Sequence, residues 1–185
     1  MENNSTKVVT GKVRFCYAHV FEPVAIGDDN GTPKYSVCIL IPKNDTKTLN
    51  AIKKAIENAK IAGKAKLANN KGVIPSNLKT PLRDGDEERG DDPAYEGMMF
   101  INANSTRKPA IVDRDLNAIM EKEEFYSGCY GRASINFFAF AANGNKGIAV
   151  GLNNLQKLED GERLAGGSTA DEDFGGDNSW DDDLM

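Results

Sequence analysis

The sequence predicts a mainly β protein of the β-rich α+β kind, with five strands and one amphipathic helix, the strands closing on one another as a small barrel. Three observations predict it. Four segments alternate apolar and polar residues with the period of two that a half-buried strand requires. One segment repeats its apolar residues at helical spacing. The stretches between them are rich in Gly, Pro, Asn and Asp, the residues of turns.

In chain order, Val9, Gly11, Val13, Phe15 and Tyr17 alternate with Thr10, Lys12, Arg14, Cys16 and Ala18, giving a first strand with one buried face and Lys12 and Arg14 on the other. After a turn-rich stretch over residues 27–33, Tyr35, Val37, Ile39 and Ile41 repeat the alternation until Pro42 stops it, which makes a hairpin. Asp45 then stands where an N-cap belongs, and Leu49, Ile52, Ile56 and Ala59 recur at helical spacing while Lys53, Lys54, Glu57 and Lys60 point elsewhere. This predicts a helix of about four turns.

Residues 63–97 show no periodicity and contain Pro75, Pro81 and Pro93, so a long loop is expected there, of the kind that is functional or mobile. Residues 98–103 can form a third strand, with 104–109 turning the chain towards Ile111 and Val112. Residues 113–125 are ambiguous, a short helix being one reading. Ala133, Ile135, Phe137, Ala139 and Ala141 form an apolar face opposite Arg132, Ser134, Asn136, Phe138 and Phe140. Asn143-Gly144-Asn145-Lys146-Gly147 signals a turn, and Ile148, Val150 and Leu152 return the chain. Gly151 is expected to permit the close backbone packing of a small closed barrel. The organisation is a domain over residues 1–163, carrying the long loop 63–97, and a disordered acidic tail over 164–185.

Charge is distributed unevenly over this plan. The 185 residues hold 23 Lys plus Arg against 28 Asp plus Glu, a formal charge of -5. The tail holds seven acids, Asp171, Glu172, Asp173, Asp177, Asp181, Asp182 and Asp183, and no Lys or Arg, so without it 23 basic residues face 21 acidic, or +2. Residues 84–96 hold seven more acids against Arg89 alone, and without them as well the balance is 22 basic to 14 acidic, or +8. Residues 43–83 alone carry ten basic residues and two acidic ones. A basic body with an acidic tail fits a polyanionic partner and a tail that regulates or recruits.

Several chemistries are excluded or weakened. No apolar run approaches the roughly 18 residues of a membrane span, and the polar first six residues lack a secretory signal, so an intracellular protein is expected. Cys16, Cys38 and Cys129 are too few and too far apart for a disulfide framework, and the single His19 cannot complete the usual zinc patterns. Counted as a calcium loop from Asp84, the acidic stretch puts Arg89 where the turn Gly belongs and Tyr95 where the bidentate Glu belongs. No phosphate loop, nucleophile elbow or paired-histidine motif is present. Cys129 with His19 as base lacks anything that fixes their proximity, so Cys129 is read as structural.

What remains is a face. Lys12 and Arg14 on the first strand, Arg132, Phe138 and Phe140 on the fourth, and Tyr126 and Tyr130 in the Gly-rich approach mix cations with aromatic planes. Single-stranded nucleic acid requires this mixture, since cations track phosphates while rings stack on unpaired bases of any sequence. Phe15, Phe21, Phe125 and Phe137 are expected in the core, and Tyr17 and Tyr35, on the apolar faces, at a barrel rim. The candidate nucleic-acid-binding set adds Lys34, Lys79, Arg83, Phe100, Arg107 and Lys108.

Val9-Thr10-Gly11-Lys12-Val13-Arg14-Phe15, Pro81-Leu82-Arg83-Asp84-Gly85-Asp86, Phe125-Tyr126-Ser127-Gly128-Cys129-Tyr130-Gly131-Arg132-Ala133 and Gly151-Leu152-Asn153-Asn154-Leu155 resemble segments of a tailed-phage single-stranded DNA-binding protein family. The resemblance spans residues 7–164. It implies an OB-fold barrel with an acidic, aromatic-bearing C-terminal tail, binding of single-stranded DNA without catalysis or cofactor, and a place in the cytoplasm of an infected bacterium, away from membranes. The tail of Asp171, Glu172, Asp173, Phe174, Asp177, Trp180, Asp181, Asp182 and Asp183 is then expected to compete with DNA and to recruit phage or host replication proteins. The expected helix falls between the second and third strands, whereas the usual OB barrel carries it between the third and fourth. Either a further strand lies within residues 20–26 or the barrel is elaborated. A carboxylate-dependent nuclease using the acidic loop, and an adaptor acting through its tail, are the competing functions.

Overall fold

The first expected strand is two strands, because the chain breaks at Gly11. In the computed structural model, which describes residues 5–24, 33–76, 78–142 and 145–164, β1 (Lys7–Val9) and β2 (Val13–Val24) flank that break. The Gly11 N–H donates to Thr48 Oγ1 at 3.0 Å instead of continuing a ladder, while Thr10, fully buried, bonds main chain to main chain with Ala133. The break is thus where the helix start docks onto the sheet.

β3 (Lys34–Pro42) completes the expected hairpin with β2. α1 (Thr46–Ala62) follows, its N-cap Asp45 accepting from the Thr48 N–H at 3.1 Å. Its buried stripe holds the expected Leu49, Ile52, Ile56 and Ala59, and Ala55 besides. It ends at Gly63, where a side chain has no room: a Cβ there would lie 2.2 Å from that of Ala139, so the helix end packs directly on the Ala139 side chain of the sheet.

The stretch expected as a loop is partly ordered. It contains α2 (Lys64–Leu67), the two-residue strand β4 (Arg83–Asp84), α3 (Gly85–Glu88) and a 3-10 turn over Pro93–Tyr95. These pieces are too short for any periodicity to register. β5 (Met98–Ser105) and β6 (Ala110–Val112) come next. Residues 113–125 form turns rather than a helix, ending in Phe125, which packs on Phe15 with ring centroids 5.0 Å apart.

The long hairpin of β7 (Tyr130–Ala142) and β8 (Asn145–Glu159) ends the described chain. β8 is three times the expected length because a bulge conceals its second half. Ser134 faces Asn154 and Ile135 faces Leu152, leaving Asn153 as the extra residue, so that Leu152 and Leu155, three apart, are both buried. Gly151 is not a close-packing point, since a Cβ there would meet Phe138 at an ordinary 3.6 Å.

β2, β3, β5, β8 and β7 close into a ring, antiparallel throughout except for the parallel contact of β5 with β8. β1 adds to β7, β6 to β8 and β4 to β5. This is an OB-like ring, with α1 between its second and third strands. Residues 20–24 continue β2, so of the two alternatives the ring is the elaborated one. Inside it, Phe15, Ile39, Ile101, Ile135 and Phe137 are buried. A second apolar cluster lies on the outer side of β2, β3 and β5, where Tyr95 covers Cys16, Cys38, Leu40 and Phe100 and Leu164 packs against the group. Leu164 thus departs from the disorder expected over residues 164–185, since it packs on this cluster and its N–H donates to the Ser127 carbonyl, and residues 165–185 lie outside the described residues.

Candidate nucleic-acid interface

At one corner of the ring, where β2 meets β7, Arg14 pairs in register with Tyr130. The Lys12 ammonium lies 5.2 Å and the Arg14 guanidinium 5.3 Å from the centroid of that ring. Lys12 also pairs with Glu159, and Arg14 donates from Nε to the Gly128 carbonyl at 3.1 Å and from Nη2 to the Glu162 carbonyl at 2.7 Å. Gly128 is required here: its φ is +118°, and a Cβ would fall 2.0 Å from the Glu162 oxygen. Arg132, exposed, donates to the Thr10 carbonyl at 2.8 Å.

Tyr126 sits at the same corner. Its hydroxyl donates towards Asp160 Oδ1 at 3.0 Å and accepts from the Gly161 N–H at 3.2 Å, while Lys157 and Arg163 lie 5.3 and 4.8 Å from its ring centroid. Burial, reinforced by the Asp160 carboxylate, pushes the Tyr126 phenol above its usual range. Asp160 is held below the carboxylate range by the Lys157 ammonium and then by the Tyr126 hydroxyl. Lys157 and Arg163 were not among the expected cations. Lys157 lies in the stretch where β8 outruns its visible alternation, and Arg163 just beyond the strand's end.

The remaining expected residues fall into separate groups. Phe138, 45 % exposed, and half-buried Phe140 share the outer face of β7 with Tyr130 and Arg132, Phe138 about 26 Å further along at roughly 3.3 Å per residue. Lys79 bridges to Gly147, the partner of Phe140, and so joins that end. Lys34, Arg107 and Lys108 gather at the far end of β2 and β3, where Val24 pairs with Lys34, Tyr35 with Ser105, and Lys108 lies 5.6 Å from the ring centroid of half-buried Phe21. Arg83 faces the acidic segment, 3.8 Å from Glu88.

Phe100 is a correction: at 2 % exposure, with Tyr95 edge-on at 5.2 Å, it belongs to the outer apolar cluster and cannot offer its face to a base. The acidic segment is anchored, too. Lys43 bridges Asp84 at 2.8 Å and Asp86 at 2.7 Å, and Asp84 and Asp92 cap α3 and the 3-10 turn. The cysteines are all buried, and burial pushes the Cys129 thiol up and that of Cys38 up to about 12, far from a reactive thiolate. Among the described residues, no three of His, Cys, Asp and Glu are gathered as a metal would require, and no helix is long and apolar enough to cross a membrane.

An OB-like ring whose outer corner sets lysine and arginine against tyrosine faces has the architecture of a single-strand-binding protein. The chain belongs to the family of the Enterobacter phage Enc34 ssDNA-binding protein, whose family model matches residues 6–185. It is 30 % identical over 169 residues to protein p50 of Acyrthosiphon pisum secondary endosymbiont phage 1, covering 89 % of each chain. The structure of the bacteriophage Enc34 single-stranded DNA-binding protein in complex with ssDNA matches with a TM-score of 0.70 at 28 % identity, over 86 % of this chain and 90 % of that one. Bacteriophage T7 gp2.5, a single-stranded DNA-binding protein, matches at a TM-score of 0.62 and 17 % identity, over 90 % and 99 %, a likeness of fold.

Proposed function

We propose that this chain is a non-catalytic protein that coats single-stranded DNA during phage replication or recombination, in the cytoplasm of the infected bacterium and with low sequence preference. The observation that carries the reading is the corner where Lys12 and Arg14 lie against the Tyr130 ring, in a chain of the Enc34 ssDNA-binding family. Cations there track phosphates, and the aromatic surfaces of Tyr126, Tyr130, Phe138 and Phe140 accept bases without reading them. The absence of catalysis is supported by the acids of the loop: Asp84, Asp86 and Asp92 are engaged in caps and in the Lys43 bridge. The acidic tail competes with DNA for the cationic face and, once displaced, is offered to replication proteins. A titration of single-stranded DNA, duplex and RNA oligonucleotides in EDTA, with a parallel incubation of the same oligonucleotides in magnesium, tests the reading. Binding strongest to single-stranded DNA, with no cleavage, supports it, and metal-dependent nicking or the absence of DNA affinity overturns it.

A further inference from the structure

β2 holds one residue more than β3 can pair between Cys16, opposite Cys38, and His19, opposite Ser36. The surplus falls at Tyr17, whose φ of 48° lies in the left-handed region that a bulky side chain rarely adopts. The only other non-glycine with positive φ among the described residues is Leu116, which has a local cause. It sits in a turn closed by Asp113, whose carbonyl accepts from the Leu116 N–H at 3.1 Å and whose carboxylate accepts from Asp115 and Asn117.

Tyr17 has no such turn. The bulge shifts the phase of β2, so that Val13 and Phe15 before it and Val20 after it point inward, while Tyr17 is left 43 % exposed. The shift buries Val20, and the strained residue itself is an aromatic left facing solvent. A left-handed backbone at an exposed bulky ring marks a candidate functional position.

The place of the ring gives it a role. Next to it, the Ala18 N–H donates to Ser127 Oγ at 3.0 Å, which ties the bulge to the segment bearing Tyr126 and Tyr130. Beyond it, β2 runs through His19 and Phe21 to the end where Lys34, Arg107 and Lys108 gather. Tyr17 thus lies between two cationic groups on one strand, groups that β7 does not connect.

We propose that Tyr17 is a base-stacking platform at the centre of a single-strand path along β2, from the Lys12 and Tyr130 corner to the Lys34 and Lys108 end. The inference rests on the single-stranded DNA reading above. It gives that reading a direction across the molecule and a residue at its midpoint.

The test uses the full chain, as Tyr17→Gly, Tyr17→Ala and Tyr17→Trp, titrated with oligothymidylate and melted in the same buffer. Glycine relieves the φ strain while removing the ring. Tyr17→Gly is therefore expected to melt no lower than the unaltered chain yet bind on the order of 5- to 150-fold more weakly, with an unchanged salt slope. Tyr17→Ala is expected to lose binding similarly, and Tyr17→Trp to retain it. Binding within twofold of the unaltered chain by the Gly and Ala variants overturns the inference alone. So does a Tyr17→Gly variant that loses stability in step with affinity, which would make the ring part of the core. Failure of the unaltered chain to bind oligothymidylate overturns the single-stranded DNA reading, and the inference with it.

Discussion

Arg14 and Glu162 are joined by a hydrogen bond of 2.7 Å from the guanidinium to the main-chain carbonyl, so a cation of the candidate interface also holds the chain just before the acidic tail. The same guanidinium reaches Gly128, and the Leu164 N–H donates to the Ser127 carbonyl at 2.9 Å, so residues 161–164 lie strapped along residues 127–128. Arg14 therefore has two separable duties, charge and attachment.

Lysine separates them. Arg14→Lys keeps the charge but not the planar fork that spans two carbonyls. It is expected to leave the salt slope of DNA binding unchanged while amide exchange at Gly161 and Leu164 accelerates. Arg14→Gln is expected to lose both, its log-log salt slope becoming shallower by about 0.7 for one phosphate contact on a single strand. For the unaltered chain, three to five phosphate contacts give a slope of about -2 to -3.5. A salt-independent affinity would contradict a charged groove, since stacking alone releases few counterions.

Aromatic substitutions separate interface from core. Tyr130→Ala, Phe138→Ala and Phe140→Ala are each expected to cost about 1 to 3 kcal/mol of binding where the ring holds a base, with smaller changes in melting. Phe100→Ala, from the buried cluster with Tyr95, is expected to cost about 3 to 5 kcal/mol of stability. Its affinity, measured on the folded fraction, should be unaltered. Chemical denaturation and DNA titration of the same four variants decide the assignment.

Acid should weaken the fold partly through the Lys43 bridge. Lys43 holds the Asp84 and Asp86 carboxyls below their ordinary value of 3.8, chiefly by hydrogen bonding. A carboxyl whose folded pKa is depressed adds stability above its unfolded pKa and loses it as pH falls through the folded value. The loss therefore falls from pH 3.8 downward. Lys43→Met removes the cause, and its stability is expected to fall less steeply over that window than that of the unaltered chain. The two should differ most at neutral pH and converge in acid, by a small margin throughout, because the pair is partly exposed and screened. Urea unfolding from pH 7 to pH 2.5 measures both, and parallel curves would show the bridge to be inert.

The parts of the fold legible in the sequence are those with uninterrupted periods. α1 shows its buried stripe and its Asp45 cap, and β7 alternates without a break, while β3, covered on both faces, is buried continuously from Val37 to Ile41. The bulges at Tyr17 and Asn153 each insert one residue, which inverts the apparent facing of everything beyond it. That is why Tyr17 reads as a buried-face residue and why the second half of β8 is invisible. Phe100 reads as available because its cover, Tyr95, comes from an acidic segment with no period of its own. The interface was legible as residue types, cations among aromatics, while its division into a Tyr130 corner, a Phe138 end and a Lys108 end depends on ring closure, which local sequence does not encode.

The tail gives the last prediction. Its seven uncompensated carboxylates and the rings of Phe174 and Trp180 imitate what the interface would recognise in DNA, negative charge and flat aromatic surface. Its root is fixed at that interface by Arg14 and Ser127, so a tethered competitor acts at high effective concentration. The cut that tests this falls after Leu164, because Leu164 packs against the cluster of Cys16, Cys38, Leu40, Tyr95 and Phe100 and its loss would disturb the fold. Deleting residues 165–185 is expected to tighten binding to single-stranded DNA several-fold at about 0.01 M salt, where the screening length is roughly 30 Å, and far less at about 0.15 M, where it is roughly 8 Å. An inert solubilising extension predicts equal affinity at both concentrations. Titration of the two chains at the two salts separates the cases, and equal or weaker binding by the shortened chain would end the competition model.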